Sequence, residues 1–181
     1  PRQGRTRAAQ ASVLMQAMNT SFQPSVGRQA VALACFVALC LAVGAIGGAA
    51  TSTSVGTWYQ HLHKPPFNPP DWIFGPVWTA LYIAMSVAAW RVWRRLGWSG
   101  ARQALSLFAV QLVLNLAWSI LFFGFQRIGL ALVEIVVLFA AIATTGVVFW
   151  RIDRAAGLLF IPYLAWVGFA ALLNASLWHL N

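Results

Sequence analysis

The sequence predicts an all-α membrane protein, a bundle of five transmembrane helices with a lid loop rich in proline and tryptophan between helices 1 and 2. Three observations support this fold class. Of the 181 residues, 60% are apolar and only 8% are charged, whereas about 25% of residues are charged in an ordinary soluble domain. Five apolar runs have the length of about 20 residues that crosses a bilayer core. Ten tryptophans argue against a disordered chain, which is poor in aromatic residues.

The five apolar runs predict the helices in order. Each run exceeds a soluble core helix in length, and its continuous apolarity differs from the alternating pattern of a membrane β-barrel. The connections after spans 2, 3 and 4 are short, so successive helices should lie antiparallel and adjacent. The predicted spans are residues 30–50, 72–93, 103–125, 128–150 and 155–178.

We predict one transmembrane domain, residues 29–181, preceded by a flexible basic tail, residues 1–28. The tail is polar, rich in Arg, Gln, Ala and Ser, and has no apolar stretch. In an alternative reading, residues 1–50 form a cleaved signal, but span 1 is too long for the apolar core of a signal peptide.

The distribution of basic residues predicts the orientation. Ten Lys or Arg residues lie on one side of the spans and two on the other, and cytoplasmic loops keep the excess. We therefore expect a multi-pass protein of a bacterial membrane, with its N-terminus in the cytoplasm and its first loop outside. Most basic residues flank apolar runs, so the net charge of +9 favours lipid headgroups over nucleic acid as partners. The ten are Arg2, Arg5, Arg7, Arg28, Arg91, Arg94, Arg95, Arg102, Arg151 and Arg154, and the two are Lys64 and Arg127.

Polar side chains within the spans predict an inward-facing site, because such groups usually face a bundle interior or a cavity. Gln111, Asn115 and Ser119 recur every four residues. They share one helical face with Trp118 and Phe122, and that face should look inward. The alternative is that these polar groups only join neighbouring helices by hydrogen bonds.

Three more polar or aromatic residues should lie at the midplane or in the outer half of the bundle: Trp78, Glu134 and Asn174. Together with Asn115 and Ser119 they can line one pocket open toward the first loop. Glu134 is the only acid within any span. It is either a protonated acid bonded to a neighbouring helix or a polar anchor or proton site.

Two further patterns concern packing inside the bundle. The indoles of Trp78, Trp118 and Trp166 lie too deep for their N–H groups to reach headgroups, so they should face the interior and find an acceptor. Gly44 and Gly48 have a spacing that allows close helix approach. Internal packing is favoured there over dimerisation.

The loop from Trp58 to Trp72 reads WYQHLHKPPFNPPDW. Its proline density excludes helix and favours stiff, extended backbone, so we predict a rigid cover. Aromatic residues between prolines, at the mouth of a bundle, can close a lid over an apolar, planar ligand. His61 and His63 lack a third ligand, so no metal site is expected.

At these residues the chain resembles the tryptophan-rich sensory protein and translocator protein family (TspO/MBR), also called the peripheral benzodiazepine receptor family. The matching segments are WYQHLHKPPFNPPDWIFGPVWTALY from Trp58 to Tyr82, NLAWSILFFG from Asn115 to Gly124, and IPYLAWVGFAALLN from Ile161 to Asn174. With five spans of the right lengths, the resemblance extends from residue 30 or so to the end.

The resemblance implies a five-helix bundle whose outward loop caps a pocket for porphyrin, haem or similar planar ligands, with no obligatory cofactor. It also implies a homodimer and a role in tetrapyrrole or stress signalling, or in translocation. Carried over position by position, the ligand-binding residues are Tyr59, Trp78, Asn115, Trp118, Ser119, Trp166 and Ala170. The inward-facing set adds Phe122, Glu134 and Asn174 as further pocket candidates.

Two functions of different classes stay open: a sensor or carrier that binds tetrapyrroles, and an enzyme that degrades porphyrin with light or oxygen. The family implicates the positions of Trp78 and Trp166 in the second. Against an enzyme, the spans carry no Ser/His/Asp or Cys/His group and no metal-ligand cluster. The stretch from Leu173 to Asn181 lacks the Tyr followed by Arg or Lys of cholesterol-binding members, which weakens the case for sterol binding.

Overall fold

The computed structural model describes residues 24–181, a part of the chain that is helical and contains no β-strand. Six α-helices follow one another in it, with a 3₁₀ turn at Asp71–Ile73 before the third and a π-helical turn at Ile120–Gly124 after it. The helices are α1 Val26–Val55, α2 Trp58–His61, α3 Phe74–Ser119, α4 Ile128–Ile152, α5 Arg154–Leu158 and α6 Ile161–Leu180.

Four segments of the described chain are long and apolar enough to cross a membrane. Three of them coincide with predicted spans 1, 4 and 5. The fourth contains both predicted spans 2 and 3, together with the short connection expected between them. The four segments are Val26–Val55, Asp71–Gly124, Ile128–Ile152 and Arg154–Leu180.

Gly97 divides the longest of these segments. Its backbone has φ 66° and ψ −178°, a conformation that glycine adopts without the steric cost of a Cβ atom. A straight helix of 54 residues would extend about 80 Å, far beyond the ~30 Å of a bilayer core. The break at Gly97 relieves this mismatch without a long loop.

The two halves of α3, residues 74–96 and 98–119, fold back on each other. The Tyr82 hydroxyl donates a hydrogen bond to Asn115 Oδ1, and Gln111 Nε2 contacts Met85 Sδ at 3.8 Å. From the first contact to the second, the residue number rises in the first half of α3 and falls in the second half. Two helices that pair in this way run antiparallel.

The loop between α1 and α3 contains helical turns that its proline density was expected to exclude. Trp58–His61 forms α2, and Asp71–Ile73 forms a 3₁₀ turn. The residues before Pro65 keep their backbone N–H groups and can close a helical turn. The second turn needs only the Ile73 N–H, which donates to the Pro70 carbonyl at 3.0 Å.

Helix α1 begins at Val26, three residues before the predicted start of the domain. The Ser25 hydroxyl accepts a hydrogen bond from the Arg28 N–H at 3.5 Å, which is the role of an N-cap. Of the predicted flexible tail, residues 1–28, the part up to residue 23 lies outside the described residues.

Helix α1 packs closely on both halves of α3 through small residues. A Cβ atom at Gly44 would lie 2.6 Å from the Tyr82 ring, and one at Gly47 would lie 3.2 Å from Ser119 Oγ. The predicted close approach is therefore confirmed at Gly44. At Gly48 a Cβ atom would meet nothing within 4 Å, so this glycine faces open space.

Candidate ligand-binding cavity

A cavity of about 520 Å³ lies between α1 and the two halves of α3, next to the loop that joins them. Small-molecule sites usually have volumes of about 300 to 1,000 Å³, so the space suits an organic ligand. Its lining residues are Leu41, Gly44, Ala45, Gly47, Gly48, Thr51, Ser52, Val55, Tyr59, Asp71, Phe74, Gly75, Trp78, Thr79, Tyr82, Trp118, Ser119 and Phe123.

Aromatic rings form one wall of this cavity. The Trp78 and Tyr82 rings, one turn apart on α3, have centroids 5.7 Å apart and planes inclined by 32°. Trp118 lies edge-on to Phe123 at 6.1 Å. The opposite wall is the glycine-rich face of α1, which leaves room beside the rings. A flat, apolar molecule can therefore contact ring faces on one side and backbone on the other.

A buried hydrogen-bond chain holds Tyr82 in the cavity wall. Its hydroxyl donates to Asn115 Oδ1, and Asn115 Nδ2 donates to the Tyr163 hydroxyl at 3.0 Å. Tyr163 in turn donates to Gln111 Oε1 at 3.0 Å. Because buried polar groups are costly unless paired, this chain fixes the side chains of α3 and α6 relative to each other.

Trp118 is held by a second polar contact. Its indole N–H donates to Asn174 Oδ1 at 3.1 Å, and Asn174 Nδ2 donates to the Ile128 carbonyl at 2.9 Å. The Phe122 ring stacks on Trp118 with centroids 5.3 Å apart. The acceptor predicted for the Trp118 indole is therefore present, and it comes from α6.

Tyr59 is one of two loop residues that line the cavity, the other being Asp71. The Tyr59 hydroxyl donates to Asn68 Oδ1 at 2.7 Å, and Lys64 Nζ lies 4.6 Å from the ring centroid. Burial and the nearby charge of Asp71 raise the pKa of the Tyr59 phenol to about 12, although the bond to Asn68 opposes the rise. The phenol therefore stays protonated and keeps donating to Asn68 at neutral pH.

The far part of the loop is tied to the end of α6. The His63 N–H donates to Asn181 Oδ1 at 2.9 Å, and Asn181 Nδ2 donates to the His63 carbonyl at 3.1 Å. Phe67 packs edge-on against Phe169 of α6 at 6.3 Å. These contacts fix the loop beside the bundle.

The structure places four of the predicted site residues in the cavity wall and six outside it. Tyr59, Trp78, Trp118 and Ser119 line the space. The other six are not lining residues of this cavity, although Asn115, Phe122, Asn174 and Trp166 each contact a residue that lines it. Those outside the wall are Asn115, Phe122, Glu134, Trp166, Ala170 and Asn174.

Trp166, Ala170 and Glu134 are packed inside the bundle outside the cavity lining. The Trp166 ring packs against Phe74 at 5.9 Å and Phe169 at 5.6 Å, and Ala170 is buried in the core. The Trp166 indole N–H and both Glu134 carboxyl oxygens are buried and have no hydrogen-bond partner among the described residues. The acceptor predicted for Trp166 is thus missing there.

Several residues that line the cavity were not predicted as site residues from the sequence. Tyr82 closes the longest family-like segment but carried no assigned role, and Gly47 lies between the two glycines noted for their spacing. Asp71 ends the proline-rich stretch, and Phe123 follows the predicted face of α3 by one residue. Within residues 24–181, no group of three or more His, Cys, Asp or Glu side chains can hold a metal ion.

The fold and the cavity define an all-helical integral membrane protein with an aromatic space between its helices. The TspO/MBR family model matches residues 36–179, and the chain belongs to this family. It is 44% identical over 158 residues to the tryptophan-rich protein TspO of Chlorobaculum tepidum, covering 85% of this chain and 98% of that protein. It is 37% identical over 158 residues to protein CrtK of Rhodobacter capsulatus, covering 83% and 95%. It is also 40% identical over 126 residues to the human translocator protein, covering 68% and 75%.

Proposed function

We propose that this protein binds a planar tetrapyrrole, porphyrin or haem, in the cavity between α1 and α3 and acts as a sensory or translocator protein. The observation that carries the proposal is the arrangement of Trp78, Tyr82 and Trp118 on one wall opposite the glycine face of α1. Large aromatic faces favour flat apolar ligands by burial and stacking. Names among the relatives, such as tryptophan-rich sensory protein and translocator protein, agree with such a role.

The proposal includes five membrane crossings and a lid. The fold-back of α3 at Gly97 divides one apolar segment into two halves, each long enough to span the bilayer core. Residues 58–72 then lie on the outer side, where Tyr59 closes the cavity. The excess of basic residues on the other side supports a cytoplasmic N-terminus.

Titration of the purified protein with protoporphyrin and haem tests the binding. Tryptophan fluorescence should fall saturably, with a dissociation constant in the micromolar range or tighter, because the ligand stacks on cavity indoles. Trp118→Phe should reduce the quenching amplitude more than Trp178→Phe, since Trp178 is exposed and outside the cavity. An unsaturable decrease, equal in both variants, would contradict binding at this site.

Labelling of single cysteines tests the topology. In a chain with Cys35 and Cys40 replaced, Gln60→Cys should react with an impermeant maleimide on intact cells. Ser25→Cys and Ser99→Cys should react only after permeabilisation, because two crossings by α3 place Ser99 on the same side as Ser25. Labelling of Ser99→Cys on intact cells would show that α3 does not return as proposed.

A second candidate function, light-dependent porphyrin breakdown, is favoured by the position of Trp78. This indole lines the cavity and contacts two oxidisable rings, Tyr82 at 5.7 Å and Tyr163 at 6.1 Å. Trp166 does not line the cavity and packs behind the lining residue Phe74. Breakdown driven by a cavity indole should therefore disappear in Trp78→Phe and persist in Trp166→Phe.

Absorbance of illuminated protein and porphyrin, compared with porphyrin in detergent alone, decides between the two functions. If the protein only binds porphyrin, the porphyrin absorbance should fall at the same rate as in detergent alone. Faster loss that requires Trp78, with binding intact in Trp78→Phe, would establish the enzyme instead.

A further inference from the structure

A second cavity, of about 480 Å³, lies at the other end of the bundle, between the first half of α3 and the junction of α4 with α5. Trp78 and Arg91 are thirteen residues apart on α3, or about 20 Å along the helix, so the two cavities are separate. Arginine dominates this one: its polar lining is Arg91, Arg95, Arg151, Asp153 and Arg154.

Asp153 organises the arginines. Its side chain is only 1% exposed, and its Oδ2 lies 3.0 Å from Arg91 Nη2 and 2.8 Å from Arg95 Nε. Its Oδ1 accepts the backbone N–H groups of Ala155 at 2.9 Å and Ala156 at 3.2 Å. Burial raises the pKa of this carboxyl, but the bond and charge of Arg91, the N–H of Ala156 and the charge of Arg95 outweigh it, so the pKa is lowered.

The cavity keeps a strong positive charge after this pairing. Four arginines face one carboxylate, which leaves a net charge of +3 from the lining. The other acids of the sequence are Asp71, in the loop at the far end, and Glu134, within α4. Among the described residues, Arg151 and Arg154 have no ion-pair partner. An anion in the cavity would therefore meet two guanidinium groups that no carboxylate occupies.

The position of the cavity indicates which anion it meets. Helix α4 ends at Ile152, so the arginines lie where a spanning segment leaves the hydrocarbon core. Trp150, which lines the same cavity, is 45% exposed, as expected for an indole at headgroup depth. Val147 and Leu158 beside it are also about half exposed, and they offer apolar contact to acyl chains. In an anionic phospholipid, the headgroup phosphate can pair with the arginines while the acyl chains contact these apolar side chains.

We infer that this arginine cavity binds the phosphate group of an anionic phospholipid, with Arg151 and Arg154 as the groups that contact it. Arg91 and Arg95, which are paired with Asp153, add positive charge to the cavity without contacting the phosphate. The inference does not depend on the tetrapyrrole proposal, because the two cavities share no residue.

Lipid titration of the delipidated protein in detergent, followed by native mass spectrometry, tests the site. Phosphatidylglycerol and phosphatidylcholine with the same acyl chains are the probes. We expect phosphatidylglycerol to bind at least about tenfold more tightly. In Arg151→Gln/Arg154→Gln this preference should fall to about threefold or less.

The control is Arg28→Gln/Arg102→Gln, which removes the same charge outside the cavity. Trp90 Nε1 donates to the Gln29 carbonyl at 3.0 Å, so Arg28 lies at the same end of the bundle. This variant should keep the preference within about twofold of the native value. All four arginines are exposed, so we expect both double variants to fold, and equal thermal unfolding temperatures verify it.

Three results would overturn the inference. A native protein without headgroup preference would exclude a specific site. An equal loss in both double variants would show a diffuse effect of surface charge. Displacement of phosphatidylglycerol by millimolar inorganic phosphate would identify a soluble phosphate as the ligand instead of a lipid.

Discussion

Replacing Gly48 by phenylalanine should weaken protoporphyrin binding at least about thirtyfold, or about 2 kcal/mol. Gly48 lines the cavity, and a Cβ atom there would meet no atom within 4 Å. The new ring can therefore occupy the space opposite Trp78 and Trp118 without displacing helix α1. Ser119→Phe, which fills the same cavity from α3, should have a similar effect. Fluorescence titration of each variant in detergent measures both losses.

The matched control is Gly27→Phe in the same helix. A Cβ atom at Gly27 also meets nothing within 4 Å, and Gly27 is outside the cavity. This variant should bind protoporphyrin as the native protein does. If Gly48→Phe and Ser119→Phe both fold and keep native affinity, the ligand binds elsewhere and the assignment of this cavity is wrong.

Replacing Gly157 by alanine should destabilise the protein by about 2 kcal/mol. A Cβ atom at Gly157 would lie 2.7 Å from Trp150 Cα and 2.9 Å from Trp150 N. These are backbone atoms of α4, so the contact cannot be relieved by turning a side chain. The helix α5 must move away from α4, and the higher helix propensity of alanine, worth up to about 1 kcal/mol, offsets only part of the cost.

Thermal unfolding in detergent measures this effect, and a destabilisation of about 2 kcal/mol should lower the midpoint by about 5 °C. Gly48→Ala is the control because its added methyl group has open space. Its midpoint should stay level or rise slightly. An unchanged midpoint in Gly157→Ala would mean that α5 and α4 are not in the close contact described.

The candidate site shows where prediction from the sequence succeeded and where it could not. Depth in the membrane follows from counting residues at 1.5 Å each, so the depths of Trp78, Trp118 and Trp166 were open to prediction. Rotation about the helix axis was not, because it depends on which neighbours pack against each helix. Trp78 and Trp118 therefore line the cavity, whereas Trp166 turns toward Phe74 and Phe169.

The sequence by itself determined the helical membrane class, the apolar segments, the asymmetry of basic residues and the family. These follow from chain length against bilayer thickness and from the need to satisfy every backbone polar group in lipid. Tertiary structure alone decided that the break between the two halves of α3 falls at Gly97 and that Asp153 gathers two arginines of α3. It also decided which aromatic rings face the glycines of α1. Each of these depends on contacts between residues far apart in the chain, which local apolarity and spacing do not encode.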